Sequence, residues 1–310
     1  MPGLRRFPLP LIAAFFALYV IWGSTYLVIR IGVAYWPPLL LAGIRFVIAG
    51  TLMYAFLRWR GAPAPTWAQW KAAGIIGILL LACGNGGVSV AEHMGVASGV
   101  AALAVATVPL FTLLCGYFWG ARNTRLEWAG IVLGLIGIAM LNLGSNLQSS
   151  PLGAALLVFA AASWAFGSVW SKHLPLPQGA MASAVEMLVG GVVLLIGSAV
   201  SGERLESLPP IEGWAALAYL TLFGSIIAFN AYMYLLKHVR PAAATSYAYV
   251  NPAVAVLLGI VFVGETIGVE EALAMAVIIS AVVLIGMPQW RRGTDRSAPA
   301  VVVPTESRAN

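Results

Sequence analysis

The sequence predicts an all-α polytopic membrane protein in which ten transmembrane helices form a 5+5 inverted repeat around a central cavity. Three observations lead to this fold class. Of the 310 residues, 61% are hydrophobic and only 9% are charged, with a mean hydropathy of +0.91. The apolar residues gather in runs about as long as the roughly 20 helical residues that a bilayer core requires. A stretch of the first half also recurs in the second half.

The ten predicted helices divide into two halves, followed by a polar tail. Their predicted spans are 9–29, 38–58, 72–91, 97–119, 126–145, 152–171, 180–200, 213–236, 241–263 and 269–288. The predicted organisation is an N-terminus at 1–8, a first repeat at 9–145, a linker at 146–151, a second repeat at 152–288 and a disordered tail at 289–310.

The repeat is clearest in two stretches, "VASGVAALAVATVPLFTLLCG" at 96–116 and "VRPAAATSYAYVNPAVAVLLG" at 239–259. They align without a gap at an offset of 143 residues, which pairs Pro109 with Pro252. Because each half holds an odd number of crossings, the second copy enters the membrane from the opposite side. Inverted repeats of this kind recur in transporters, whose substrate site lies near the midplane between the repeats. The pattern predicts a secondary transporter that works by alternating access.

The basic residues indicate orientation and argue against nucleic-acid binding. The net charge is +6, but the cations are spread over short loops and lack the clustered patch that phosphate contacts need. Apart from Arg45, every Lys and Arg except Arg30 and Arg204 falls on the side predicted to be cytoplasmic. This bias predicts a multi-pass protein with an even number of crossings and both termini in the cytoplasm. Arg5 and Arg6 before the first apolar run would also suit a signal peptide, but no small-x-small cleavage site follows.

Two charges lie well inside predicted helices rather than at their ends, and a charge at such a position is costly unless it is paired or faces water. Arg45 would attract an anionic group or brace helix ends, and its alternative role is snorkelling to the headgroups. Glu186 would attract a cationic group or act as a proton carrier, and its alternative is a hydrogen-bonded structural carboxyl. Because the halves are inverted, the two side chains should lie about 10 Å from opposite membrane surfaces. A direct salt bridge between them is not expected.

Prolines interrupt the fourth and ninth predicted helices at matched positions. Pro109 and Pro252 each remove a backbone hydrogen bond, and the freed carbonyl must be satisfied by protein or cavity water. Tyr247 and Asn251 share a helix face just ahead of the second proline, and Thr107 offers a hydroxyl ahead of the first. The arrangement predicts kinked, cavity-lining helices that gate the site, with a kink kept only for packing as the alternative.

The remaining candidates for the cavity mix aromatic and polar side chains. They are Trp22, Ser24 and Thr25 in the first helix, Asn85 in the third, Trp164 and Ser168 in the sixth, and Asn230 in the eighth. Any single tryptophan could instead anchor the protein at the membrane interface, and the asparagines could hold helix pairs together. Gly130, Gly134 and Gly137 have the small-xxx-small spacing of a close helix contact, within the chain or between subunits, so both monomer and homodimer remain open.

Several motifs of the chain resemble those of a known family. "WGST" in the first helix, "AGIRFVIAG" in the second, "TVPLF" in the fourth and "VNPAVAVLLGIVFVGE" in the ninth are similar to the drug/metabolite transporter superfamily, specifically proteins with two EamA domains. "NGGVSVAEHMGVASGVAALAVATVPLF" further resembles a YedA-like subgroup of bacterial inner-membrane exporters. The resemblance covers 9–288, and "WGST" and "SYAYVNP" match motifs that line the family's cavity.

The resemblance implies that helices one, three, four, six, eight and nine surround the cavity, while five and ten are peripheral. It also implies efflux of small metabolites, amino acids or drug-like compounds. The sequence departs from the family at two places: Arg122 stands opposite the family glutamate that survives as Glu265, and Glu186 occupies a position that is often uncharged.

Three other functions stay open or are disfavoured. An exchanger of phosphorylated sugars or nucleotide-sugars would want several cations in the cavity, and only Arg45 is available. A passive channel is a further alternative. An intramembrane enzyme would need a nucleophile with its base, a metal-ligand cluster or paired carboxylates, and the sequence offers none of these. The expected partners are a small-molecule substrate, the lipid bilayer and protons, and no cofactor is expected.

Overall fold

The computed structural model describes residues 8–94, 105–141, 151–251, 253–254 and 269–292, and all its regular structure is helical. The chain is apolar along its length, so each helix satisfies its own backbone groups, as a segment in hydrocarbon must. Helix starts use local signals where these exist. Thr66 and Gln69 form a capping box ahead of the third predicted span, and prolines occupy the first turn of several helices.

The described helices of the first half follow the order of the predicted spans, and they cover only part of the fourth. They are α1 (Leu9–Phe16), α2 (Trp22–Val33), α3 (Pro38–Trp59), α4 (Trp67–Gly77), α5 (Gly87–His93), α6 (Val108–Gly116) and α7 (Arg125–Leu141). A π-helical segment, Ala17–Ile21, joins α1 to α2, and another, Ile78–Gly86, joins α4 to α5. A short 3₁₀ turn, Tyr117–Trp119, follows α6.

The second half has a matching series of helices. They are α8 (Pro151–Trp170), α9 (Ala180–Val200), α10 (Ile211–Tyr219), α11 (Asn230–His238), α12 (Pro241–Ala244) and α13 (Val269–Arg292). A 3₁₀ turn, Ser171–His173, ends the first of these, and a π-helical segment, Leu220–Phe229, joins α10 to α11. Residues 247–251 are also helical, after a turn at 245–246. The predicted linker, N-terminus and tail lie almost wholly outside the described residues.

Five of the described helical segments are long and apolar enough to cross a bilayer. They are Pro38–Trp59, Trp67–Ala91, Pro151–His173, Ala180–Val200 and Ile211–His238. Shorter apolar helices cover Leu9–Thr25, Val108–Trp119 and Leu273–Ile285. The chain is therefore a multi-pass membrane protein. The count of ten crossings remains a prediction.

Glycines let two pairs of helices pack closely in antiparallel orientation. Along α3 and α9, Gly43 lies against Leu195 and Gly50 lies against Leu188. Along α7 and α13, Gly130 lies against Ile285 and Gly137 lies against Ile278. A Cβ at Gly137 would come within 2.7 Å of Ile278, so the glycine permits this approach. The glycine row predicted from the sequence thus contacts another helix of the same chain.

The other close contacts join the two halves crosswise. The Ile78–Gly86 segment and α5 run antiparallel to α8, with Gly84 against Trp164 and Gly87 against Ala160. Helix α2 runs antiparallel to the α10 to α11 segment, with Gly32 against Ala216. The third predicted span thus packs on the sixth, and the eighth packs on the first. The largest cluster of buried apolar residues lies among these helices.

Candidate functional site

Aromatic rings from four separate helical segments meet where the two halves face each other. Trp22 comes from α2, Trp164 from α8, Tyr232 from α11, and Tyr247 from the helical residues 247–251. The centroid of the Trp22 ring lies 4.8 Å from that of Tyr247, 5.4 Å from that of Tyr232 and 5.7 Å from that of Trp164. We call these four residues the aromatic cluster. It brings together three residues that the sequence predicted for the cavity.

Tyr232 is the centre of the aromatic cluster. Its ring also lies 5.5 Å from the ring of Trp164 and 5.6 Å from that of Tyr247. Its hydroxyl accepts a hydrogen bond from Trp164 Nε1 at 3.0 Å and lies 2.5 Å from Ser168 Oγ. Tyr232 and Ser168 are fully buried. The predicted cavity residue Ser168 therefore belongs to the cluster through Tyr232.

The two hydroxyls that follow Trp22 turn away from the cluster. Ser24 Oγ donates to the Ile21 carbonyl at 2.7 Å and lies 2.7 Å from the Tyr219 hydroxyl. Thr25 Oγ1 donates to the Trp22 carbonyl at 2.7 Å. Such bonds to the preceding turn are usual for hydroxyls within helices. Trp22 Nε1 donates to the Gly224 carbonyl at 3.0 Å, which ties α2 to the π-helical segment of the second half.

A second polar contact lies beside the cluster, between the first and ninth predicted spans. The Tyr19 hydroxyl and Ser246 Oγ are 2.7 Å apart. Asn251 is buried, and with its amide oriented to donate, its nitrogen reaches the Tyr19 carbonyl at 3.3 Å and the Tyr247 carbonyl at 3.2 Å. Asn251, which was predicted to line the cavity, therefore holds two helices together beside the cluster.

Arg45 and Asn85, both predicted as cavity residues, bond to each other. Arg45 Nη2 donates to Asn85 Oδ1 at 2.8 Å, and the guanidinium sits 4.4 Å from the centre of the Phe46 ring. Arg45 is buried, and its Nε has no hydrogen-bond partner among the described residues. A buried cation is thus held by a neutral amide at the end of a π-helical segment, a type of irregularity that often marks functional positions.

Glu186 is completely buried on α9, and neither carboxylate oxygen has a hydrogen-bond partner among the described residues. In the antiparallel register of α3 and α9, Glu186 and Arg45 stand about seven residues apart along the axis, or roughly 10 Å at 1.5 Å per residue. Among the described residues, the ion pair that is present joins Arg240 to Glu127 instead.

The other predicted residues lie at helix ends and contacts. Asn230 Nδ2 donates to the Ile226 carbonyl at 2.6 Å and to Met53 Sδ at 3.2 Å, so it joins α11 to α3. Thr107 is the N-cap residue of α6, and Pro109 lies in the first turn of that helix. The helical path is therefore interrupted just ahead of Pro109. Pro252 lies outside the described residues.

A separate apolar cavity of about 350 Å³ opens between α3, the Ile78–Gly86 segment, α5, α8 and α9. Its walls include Leu39, Cys83, Leu156 and Leu194. None of the residues predicted to contact substrate lines this cavity. The rings of the aromatic cluster contact one another, so the cluster is closed in this conformation.

Sequence reasoning missed Tyr232, Tyr19, Ser246 and Tyr219, all of which make polar contacts at or beside the cluster. The sequence feature that could have identified Tyr232 is its phenol group in an apolar helix, two residues after Asn230. Tyr234 follows after two more residues and is only partly buried, so the sequence could not tell which tyrosine points inward.

Comparison with known proteins decides the family. The model of the EamA-like transporter family matches residues 9–143 and again 151–287. The chain belongs to the EamA-like transporter family. The two matched ranges correspond closely to the two repeats predicted from the sequence.

Relatives of this EamA-like protein carry transporter names. The "Uncharacterized inner membrane transporter YedA" of Escherichia coli (strain K12) is 57% identical over 91% of this chain and 92% of its own. The "Probable amino-acid metabolite efflux pump" of Salmonella typhimurium is 28% identical over 88% and 93% of the two chains. A chain of known crystal structure is 21% identical, with a TM-score of 0.74 over 90% of this chain and 98% of that chain, and it shares the fold. This chain is a membrane transporter of the EamA family.

Proposed function

We propose that this EamA-family transporter exports small amphipathic compounds, such as metabolites, amino acids or drug-like molecules, across the bacterial inner membrane by alternating access. In this proposal ten crossings form two inverted halves, and both termini are cytoplasmic. The observation that carries the proposal is the aromatic cluster, because it joins α2 of the first half to α8 and α11 of the second. A movement of one half against the other would separate Trp22 from the three rings of the second half.

The packing of the helices supports the inverted arrangement. An in-plane twofold axis would exchange the third span with the eighth and the sixth with the first. The contact of the Ile78–Gly86 segment with α8 would then have a counterpart between α2 and the α10 to α11 segment, and both contacts are present. The same axis would relate the second span to the seventh and the fifth to the tenth as antiparallel pairs, which agrees with α3 on α9 and α7 on α13.

The chemistry of the cluster suits an amphipathic substrate. Indole and phenol rings offer apolar faces, while Trp164 Nε1, Ser168 Oγ and the Tyr232 hydroxyl, which bond to one another within the second half, offer polar groups to a substrate that takes the place of Trp22. Phosphorylated sugars are a weaker candidate, because such cargo calls for several cationic side chains and Arg45 is already bonded to Asn85. Transport out of the cell is supported by the Salmonella relative, which is named as a probable efflux pump.

Flux across proteoliposomes tests the proposal. Proteoliposomes that hold the purified protein would be loaded with a mixed panel of amino acids and small aromatic amines. Release of these compounds would be followed with and without an inward proton gradient. We expect saturable release of a few compounds. Trp164→Ala should reduce that release strongly, whereas Trp214→Ala, which removes a tryptophan outside the cluster, should not.

The other outcomes identify the alternatives. Release that does not saturate and appears as discrete conductance steps would indicate a passive channel. Release restricted to phosphorylated sugars, added as a second panel, would indicate the exchanger. Saturable release that is equal for the wild type and for Trp164→Ala would remove the aromatic cluster from the substrate site.

A further inference from the structure

The loop between α11 and α12 is held by charged contacts that cross between the two halves of the chain. Arg240, the N-cap residue of α12, donates from Nη2 to Glu127 Oε2 at 2.8 Å and from Nε to Glu127 Oε1. Arg240 Nη2 also lies 3.1 Å from the Arg122 carbonyl and donates to it. A two-pronged arginine–carboxylate pair of this kind fixes orientation as well as distance.

The carboxylate partner is built into the start of α7. The Thr124 amide donates to Glu127 Oε2 at 2.7 Å, and the Glu127 amide donates to Thr124 Oγ1 at 3.2 Å, which together form a capping box. Glu127 is 0% exposed and the Arg240 side chain is 22% exposed. Loss of Arg240 would therefore leave a rigid, buried carboxylate without its cation.

Other contacts tie the same end of the molecule together. Lys172 Nζ, in the turn after α8, donates to the Val239 carbonyl at 3.0 Å. His173, the next residue, stacks on Trp119 with ring centroids 5.2 Å apart and an interplanar angle of 8°. The ends of α6, α7 and α8 and the loop before α12 are thus joined at one face.

The sequence repeat gives Arg240 no cationic counterpart in the first half. At the offset of 143 residues that aligns Val96 with Val239, the counterpart of Arg240 is Ala97. An alanine cannot supply a cation, so the matching position at the opposite end of the inverted repeat cannot form the same pair.

We propose that Arg240 and Glu127 form a latch that keeps the transporter closed at their end and so biases the substrate site to face the opposite side at rest. This inference rests on the alternating access proposed above. Opening at the latched end must separate α7 of the first half from the loop of the second, which breaks both prongs of the pair. The distribution of basic residues predicts that the latched end is cytoplasmic.

Side-specific labelling of a cysteine tests the latch without a substrate. Ser246→Cys, in a Cys83→Ser/Cys115→Ser background, places a thiol at a position that is 2% exposed, between the latch and the aromatic cluster. A membrane-impermeant maleimide would be applied to right-side-out and to inside-out vesicles. We expect Arg240→Gln and Glu127→Gln to label roughly tenfold faster from the latched face and more slowly from the other face.

Two further variants make the result specific. Arg240→Lys keeps the charge but not the two-pronged geometry, so it should fall between wild type and Arg240→Gln. Arg125→Gln removes an exposed cation from the first turn of α7, the helix that carries Glu127. It should leave the labelling rate unchanged from both faces. If Glu127→Gln fails to fold, Arg240→Gln still tests the latch, because the capping box stays intact.

Labelling that is the same in all variants, or that rises equally from both faces, would overturn the latch. Equal acceleration would mean general loosening. A one-sided change combined with no flux of any panel compound would support the latch while contradicting the proposed substrates, so the two proposals can fail separately.

Discussion

The hydroxyl of Tyr232 lies 2.5 Å from Ser168 Oγ and also accepts the indole N–H of Trp164. One phenol oxygen therefore joins α11 to two turns of α8 in a fully buried position. Since the ring of the same residue contacts Trp22 and Tyr247, Tyr232 connects the polar and the aromatic contacts of the cluster.

Tyr232→Phe should destabilise the protein by about 1–3 kcal/mol, because it removes the acceptor of the Trp164 N–H and the partner of the buried Ser168 hydroxyl while the ring contacts remain. Unfolding in mixed micelles, followed by tryptophan fluorescence, would measure the change. Tyr35→Phe, at a tyrosine that is exposed, is the matched control and should have no measurable effect. Equal stability of wild type and Tyr232→Phe would contradict the role given to the hydroxyl.

Asn85→Ala should cost about 1.5–3 kcal/mol, the range for a hydrogen bond to a charged group, because Arg45 would lose its acceptor in a buried position. The double variant Arg45→Met/Asn85→Ala should recover most of that loss, since no buried cation is then left unsatisfied. The same micelle unfolding assay checks both variants. A double variant that is less stable than Asn85→Ala would show that the guanidinium contributes through some other contact.

Glu186→Gln should fold as well as the wild type, because the amide has nearly the same shape and the carboxylate oxygens have no partners among the described residues. If Glu186 carries a proton, the variant should transport at the same rate with and without an inward proton gradient. Flux across proteoliposomes at fixed external pH would measure this. A variant whose flux still accelerates in the gradient would end the proposed role.

Gly137→Leu should separate α7 from α13, since a Cβ at this position already meets Ile278 at 2.7 Å. Overpacking of this kind costs about 1–3 kcal/mol. Ile136→Leu, one residue earlier and 49% exposed, is the control and should be neutral. The thermal midpoint of the purified protein, read by the loss of soluble monodisperse material, separates the two outcomes. A neutral Gly137→Leu would mean that the two helices can move apart freely.

Much of the candidate site was within reach of the sequence. Trp22, Trp164 and Ser168 were predicted from aromatic and hydroxyl residues at corresponding places in the repeat. Tyr247 was predicted from the helix face it shares with Asn251 ahead of Pro252, and all four residues meet at Tyr232. Ser24 and Thr25 were predicted for the same reason as the tryptophans, but their hydroxyls bond to Tyr219 and to backbone carbonyls of the preceding turn. The sequence could not separate these cases, because neighbouring residues on a helix point in directions that only packing determines.

The pairing of charges shows the same limit. Arg45 and Glu186 stood out because charges are rare within apolar spans, yet the partner of Arg45 is a neutral asparagine 40 residues away. Arg240 precedes the ninth predicted span and Glu127 lies at the start of the fifth, so neither stood out in the sequence, although they form an ion pair across 113 residues. No local pattern carries information about contacts at such separations.

The amino-acid sequence by itself determined that this chain is a multi-pass membrane protein with an internal repeat, and its motifs pointed to the EamA family. These properties follow from composition, run length and order, which are local and additive along the chain. Only the tertiary structure decided which tyrosine enters the cluster, which amide holds Arg45, and which loop is tied to α7. Those choices depend on the rotation of each helix about its axis, which is determined by the fit of glycines and side chains against neighbouring helices.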